Sequence, residues 1–174
     1  MPRVTDRRVA FSTPWFDVVA KHVDGDPSPH YTVQPFDYVT VIAVDEGGRF
    51  LLVKQYRPVI EDYSVELPSG MIDASETPEA CMRRELVEET GHEARDVELL
   101  GTLVPDVGRL GNRMWCYFAA DVRRIVPAPP LEDGIELLTV TREDFVAAFA
   151  DSRCCHALNF AAVMLAVLKR RLTI

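Results

Sequence analysis

The stretch from Gly70 to Gly91, GMIDASETPEACMRRELVEETG, constrains this chain more than any other, because it gathers acids where an ordinary helix would disperse them. Thr77 offers a hydroxyl to cap free N–H groups, and Pro78 is pre-set for a first helical turn. Gly91 can take the left-handed conformation just past a helix end, so it marks the stop. Between them Glu85, Glu88 and Glu89 stand at i, i+3 and i+4 and project from one face. Like charges at that spacing cost about 0.2–0.5 kcal/mol per pair, and no basic residue is spaced to neutralise all three. A solvated acidic face is one outcome of this pattern. The other is a site for a hard cation, since Mg²⁺ accepts a few carboxylate oxygens and keeps the rest of its shell for water and phosphate.

The surrounding residues favour the second outcome. Gly70, Glu76, Arg84, Glu85, Glu88, Glu89 and Gly91, with apolar Leu86, follow the pattern G-x5-E-x7-R-E-U-x-E-E-x-G-U, where U is apolar. Seven such matches, each at roughly 5–7% usage, coincide by chance on the order of once in 10⁸ windows or fewer. The segment resembles the Nudix box. His92 stands where the pattern ends on a bulky aliphatic residue, and reads as a structural histidine at the helix end.

Composition narrows the partners. The 174 residues are 48% hydrophobic, enough for one full core. Nineteen basic against 27 acidic residues give a net charge of −8, which argues against a general nucleic-acid or membrane surface. Cys81, Cys116, Cys154 and Cys155 have no framework spacing and no secretory h-region precedes them, so reduced thiols in a cytoplasmic protein are expected. The pair Cys154–Cys155 reads as helix packing. No apolar run is long enough to span a membrane.

Along the chain, Phe16–His22 and Tyr31–Gln34 read as strands on either side of a turn-rich segment. Tyr38–Val44 and Phe50–Gln55 are strands joined by a Glu46-Gly47-Gly48 hairpin loop. Val65–Leu67 is a short strand ending at Pro68, and Val97–Val104, Arg113–Ala120 and Ile135–Val140 are further strands, with a chain break at Pro127–Pro130. Trp115 alternates toward a core. Thr141 caps a helix over Arg142–Ala150 with Asp144 placed to reach back, and a last helix runs from about Cys154 to Arg171, its basic end favourable at a C-terminus. The result is an α+β fold, and the resemblance implies a Nudix α/β/α sandwich with a mixed sheet between helices. Two segments are expected: residues 1–36 as an N-terminal strand segment that can exchange in a dimer, and 37–174 as the hydrolase domain.

The likeness extends beyond the box. Pro14-Trp15-Phe16, YVTVIAV, LLVKQYRPV and ELPSG together are similar to the ADP-ribose pyrophosphatase-like branch. That implies Mg²⁺-dependent (or Mn²⁺-dependent) hydrolysis of a nucleoside diphosphate sugar by a homodimer. It also implies Glu85, Glu89 and the Ser69 carbonyl as metal ligands, Glu88 as ligand directly or through water, and Arg84 and Glu76 as supports. The branch takes its general base from a late acidic loop, here Glu132, then Glu136, then Asp133 in order of preference. Arg57 follows a strand and suits a phosphate clamp or an ion pair with Glu66. Arg109 and Arg113 lie in a glycine-bearing loop that permits close approach to a ligand. Trp15 suits either nucleobase stacking or an interface. Relatives carry a Pro-Gly pair where Val107-Gly108 stands here, so GDP-mannose and other nucleotide sugars stay open. So does a binding regulator without turnover.

Overall fold

Alternation along Tyr38–Val44 decides how the central layer is built. Val39, Val41 and Ala43 point to one side, where with Leu51 they pack on Cys81, Met82 and Leu86 of the box helix. Thr40 and Ile42 therefore face the other side, as does Phe50, which stacks on Phe145 at a ring-centroid distance of 4.2 Å. One helix covers the first face and two cover the second, the sandwich that the sequence implied. The computed structural model describes every residue except Val126, Ala128, Pro129 and Ile174.

The chain forms two compact units. The first comprises Met1–Asp37 with Leu103–Met114. It holds a three-stranded antiparallel meander of β1 (Val4–Ser12), β2 (Phe16–Val23) and β3 (His30–Pro35). β1 was not expected from the sequence, since all nine of its residues are exposed and carry no burial pattern; backbone pairing with β2 holds it. The Leu103–Met114 stretch is tied to this meander through Val33 N–H to Arg109 O (2.8 Å) and Gly111 N–H to Val33 O (2.9 Å).

The second unit comprises Tyr38–Thr102 with Trp115–Ile174. Its strands are β4 (Tyr38–Asp45), β5 (Phe50–Arg57), β6 (Asp62–Glu66), β7 (Ser69–Met71), β8 (His92–Glu93), β9 (Glu98–Leu103), β10 (Met114–Arg124) and β11 (Glu136–Val140). The spatial order is β11-β5-β4-β10-β8, with β6 on β5, β7 on β4 and β9 on β10. The helices are α1 (Pro78–Thr90), α2 (Arg142–Ala150) and α3 (Ala157–Leu168). Thr77 accepts from the Ala80 amide and Gly91 adopts φ 68°, so both ends of α1 close as the sequence predicts. Trp115 is half-buried and packs against the α1-side core.

Three expectations are corrected. α3 is shorter than Cys154–Arg171, because the Cys154 amide is spent on Ala148 O at the end of α2. Cys154 and Cys155 therefore lie in the loop before α3 rather than packing within it. Lys169-Arg170-Arg171 follow the last turn, with Arg170 at φ 58°. The strand placed at Val65–Leu67 is Asp62–Glu66 instead, since the Leu67 amide goes to Asn159. The two-residue β8 and three-residue β7 are too short to leave a sequence pattern. Of the break expected at Pro127–Pro130, Ala128 and Pro129 lie outside the described residues.

Candidate active site

Three carboxylates converge in the second unit. Oxygen atoms of Glu85, Glu89 and Glu132 all lie within 4.8 Å of one another. Two come from α1 at i and i+4; the third is brought by the loop before β11, whose Glu132 amide bonds to Glu88 O at 3.0 Å. Glu85 and Glu89 are buried. Burial pushes Glu89 up to about 8, against the pull of the Ser69 amide and with the charges of Glu85 and Glu132 adding to the rise. Burial likewise raises Glu85, although Arg84 opposes it. Two buried acids held this close resist ionising together, a cost that a divalent cation removes.

Arg84 organises the rim of this cluster. Its guanidinium forks onto Glu76 through Nε (3.1 Å) and Nη2 (3.0 Å), and Nη1 reaches Glu85 (2.7 Å) and Glu88 (2.9 Å). The hydrogen bond from Arg84 holds the Glu76 carboxyl below its usual range. Glu88 thus meets Arg84, Glu89 meets Glu132, and Glu85 is shared between the two. Ser69, expected to offer its carbonyl, is seen donating its amide to Glu89 Oε2 at 2.9 Å. Gly70 leaves the space that Glu85 fills: a Cβ there would lie 1.8 Å from Glu85 Cδ.

The other candidate residues divide. Glu136 pairs across the strands with Lys54 at 3.2 Å and stands apart from the carboxylate group; Asp133 is exposed in a turn. Arg57 forms the ion pair that the sequence had left open, binding Glu66 through Nε (2.8 Å) and Nη2 (2.7 Å). Burial alone would raise Glu66, but the Arg57 fork outweighs it and holds the carboxyl low. Arg57→Ala would leave this carboxylate, only 5% exposed, without its partner. We expect about 2–3 kcal/mol of lost stability in urea unfolding, because the arginine side of the pair is partly solvated. Most should return when Glu66→Gln is added; no recovery would mean that the fork is not what stabilises this corner.

Trp15, Arg109 and Arg113 belong to the first unit. Trp15 is 63% exposed, Arg109 makes a loose contact with Asp106 (3.8 Å), and the Arg113 amide bonds to Asp37 at 2.8 Å. His92 is buried, its ring bonded to Thr90 O at 2.7 Å, in the structural role expected. Two residues escaped sequence reasoning. In the sequence Gly70 is only a motif position, although a glycine fixed beside an acid-rich helix can mark close approach. Asn159 is a lone polar residue in the apolar run ALNFAAVMLAVL, which is the signal that could have found it.

A family model described as NUDIX domain matches residues 35–152. The chain belongs to the Nudix family. It is 27% identical over 167 residues to an ADP-ribose pyrophosphatase of Bacillus subtilis, covering 93% of this chain and 90% of that protein. It is 43% identical over 103 residues to an ADP-sugar pyrophosphatase of Mus musculus, covering 55% and 47% respectively. A methanol dehydrogenase activator of Bacillus methanolicus shares 27% over 142 residues, covering 80% and 77%. The crystal structure of an ADP compounds hydrolase superposes with a TM-score of 0.79 at 17% identity, covering 98% of this chain and 94% of that one, which establishes the common fold. This Nudix chain is accordingly a hydrolase, similar to ADP-ribose and ADP-sugar pyrophosphatases. Among the described residues, no helix is long and apolar enough to cross a membrane.

Proposed function

We propose that this Nudix hydrolase cleaves the pyrophosphate of a nucleoside diphosphate sugar, with ADP-ribose giving AMP and ribose 5-phosphate as the first candidate reaction. The observation that carries it is the convergence of Glu85, Glu89 and Glu132, an all-oxygen donor set of the kind Mg²⁺ takes and Mn²⁺ tolerates. When bound, the ion supplies charge neutralisation at the pyrophosphate and a lowered pKa for water.

The protein's own groups complete the chemistry. Glu85 and Glu89 hold the cation, with the Ser69 carbonyl as a further ligand. Arg84 keeps Glu85 and Glu88 in place, and Glu76 holds Arg84. Glu132 has two roles open to it: ligand, or acceptor of the proton from the attacking water; its position beside the other two acids supports it over Glu136 and Asp133. Arg57 spends Nε and Nη2 on Glu66, which leaves Nη1 for a substrate phosphate, and Arg57→Ala should raise KM. We assign Arg109 and Arg113 to phosphate contacts and Trp15 to base stacking. Residues 1–36 are read as an element exchanged in a homodimer, and the protein as cytoplasmic.

ADP-ribose is favoured because the Bacillus subtilis pyrophosphatase matches along nearly the whole chain. A second reading, a nucleotide-sugar-binding regulator, is prompted by the methanol dehydrogenase activator. Release of monophosphate from ADP-ribose, GDP-mannose, other nucleotide sugars and nucleoside triphosphates, with and without Mg²⁺, separates them. We expect Mg²⁺-dependent cleavage with ADP-ribose first. Preference for another sugar keeps the chemistry and moves the substrate; tight binding without turnover of any compound establishes the regulator.

A further inference from the structure

We propose that Asn159 is a positioning residue for the carboxylate cluster: by holding the Leu67 amide it sets the Ser69–Gly70 segment, and through it Glu89 and Glu85, for cation binding. The proposal rests on the metal-site reading above.

Leu67 lies past the end of β6 and before the start of β7, so its buried amide has no ladder partner at that point. Such an N–H must be satisfied by something. Asn159 Oδ1, on α3 and ninety-two residues away, accepts it at 3.0 Å. The next links are short and stiff. Pro68 has a fixed φ, and its carbonyl accepts from the Val41 amide at 3.0 Å. The Ser69 hydroxyl lies 2.7 Å from Leu67 O and 3.0 Å from Thr40 Oγ1. Ser69 then gives its amide to Glu89 at 2.9 Å, and Gly70 faces Glu85 with no room for a side chain. A shift at Leu67 therefore reaches two of the three clustered acids within three residues.

The chemistry of Asn159 fits this use. The residue is fully buried, and its Nδ2 has no hydrogen-bond partner among the described residues. Its Oδ1 accepts from the Leu67 amide at 3.0 Å and, at 3.6 Å, from the Cys154 thiol. If filling space were its only task, a leucine of similar volume would do as well.

The test reads cation binding directly, by the free Mn²⁺ signal in electron paramagnetic resonance, together with the Mg²⁺ activation constant for turnover. Parent protein should bind Mn²⁺ and Glu89→Gln should not; failure of that comparison overturns the metal site itself. Given that site, Asn159→Leu should weaken Mn²⁺ binding about 10–100-fold, the range typical of lost outer-sphere support. Asn159→Asp keeps an acceptor and should bind more tightly than the leucine variant. Val163→Ala trims another buried side chain of the same helix, keeps the Asn159 side chain intact, and should leave Mn²⁺ affinity at the parent value. Parent-like affinity in Asn159→Leu, equal weakening in Val163→Ala, or an aspartate variant as weak as the leucine one would each overturn the proposal. Should Asn159→Leu not fold, Asn159→Ala read against Val163→Ala carries the same test.

Discussion

Glu89→Gln should abolish turnover and at the same time make the metal-free protein more stable near neutral pH. The amide oxygen can still accept from Ser69, so the local hydrogen bond survives the change. What disappears is the negative charge that a cation needs. Loss of that charge should cost on the order of 10³-fold in kcat/KM, equivalent to about 4 kcal/mol of transition-state stabilisation. Turnover within a few-fold of the parent would sink the assignment of Glu89 as ligand. The stability arm follows from linkage. Glu89 rises from 4.5 to about 8 on folding, so between those values the native state holds a proton that the unfolded chain has released. Metal-free stability must then fall as pH rises from about 5 to 8, and Glu85, shifted the same way, adds to the slope. His156 acts in the opposite sense: burial lowers its pKa, so its contribution is lost as pH drops below about 6.5. The difference in melting temperature between variant and parent isolates Glu89, and it should widen in favour of the variant as pH climbs. Saturating Mg²⁺ should raise the parent's melting temperature more at pH 8 than at pH 5 and leave the variant's unchanged.

Gly70→Ala should come second in effect, and for a steric reason. A Cβ at this position would sit 1.8 Å from Cδ, 1.9 Å from Oε1 and 2.4 Å from Cγ of Glu85. The backbone needs no left-handed conformation here, so alanine itself is tolerated; the glutamate must move. Because its clashing atoms are the far end of a flexible side chain, Glu85 can swing away with little damage to the fold. It then leaves Glu89 and Glu132 and loosens its bond to Arg84. We expect kcat/KM to drop about 10²-fold, with weaker Mg²⁺ activation and a melting temperature within a few degrees of the parent. Gly70→Ala and Glu85→Gln should be strongly non-additive, since both disable one side chain. Additive losses would show that Gly70 acts through something other than Glu85.

The regularity of the box made much of the site readable. A cap at Thr77, a stop at Gly91 and acids at i and i+4 are local facts, and local stereochemistry turned them into a helix with two converging carboxylates. The strands of the second unit were readable for a similar reason: burial on one face of a sheet imposes alternation, as in Val39, Val41 and Ala43. β1 has no buried face and left no such trace. The start of α3 was misplaced because apolar residues begin at Cys154, whereas backbone hydrogen bonds, the Cys154 amide to Ala148 O among them, keep the chain out of the helix until Ala157.

Residues distant in sequence were another matter. The sequence offered three acids in the late loop with Glu132 preferred; strand pairing separates them, by setting Glu136 opposite Lys54 while the loop delivers Glu132 to α1. Arg57 likewise suited two partners until the β5–β6 hairpin put Glu66 within reach of its fork. By itself the sequence determined the family, the helix and which carboxylates it presents, because those depend on residues within a turn or two of one another. Only the tertiary structure decided the third carboxylate, the partner of Arg57 and the place of Asn159, because such contacts are made by chain closure over tens of residues, which no local spacing encodes.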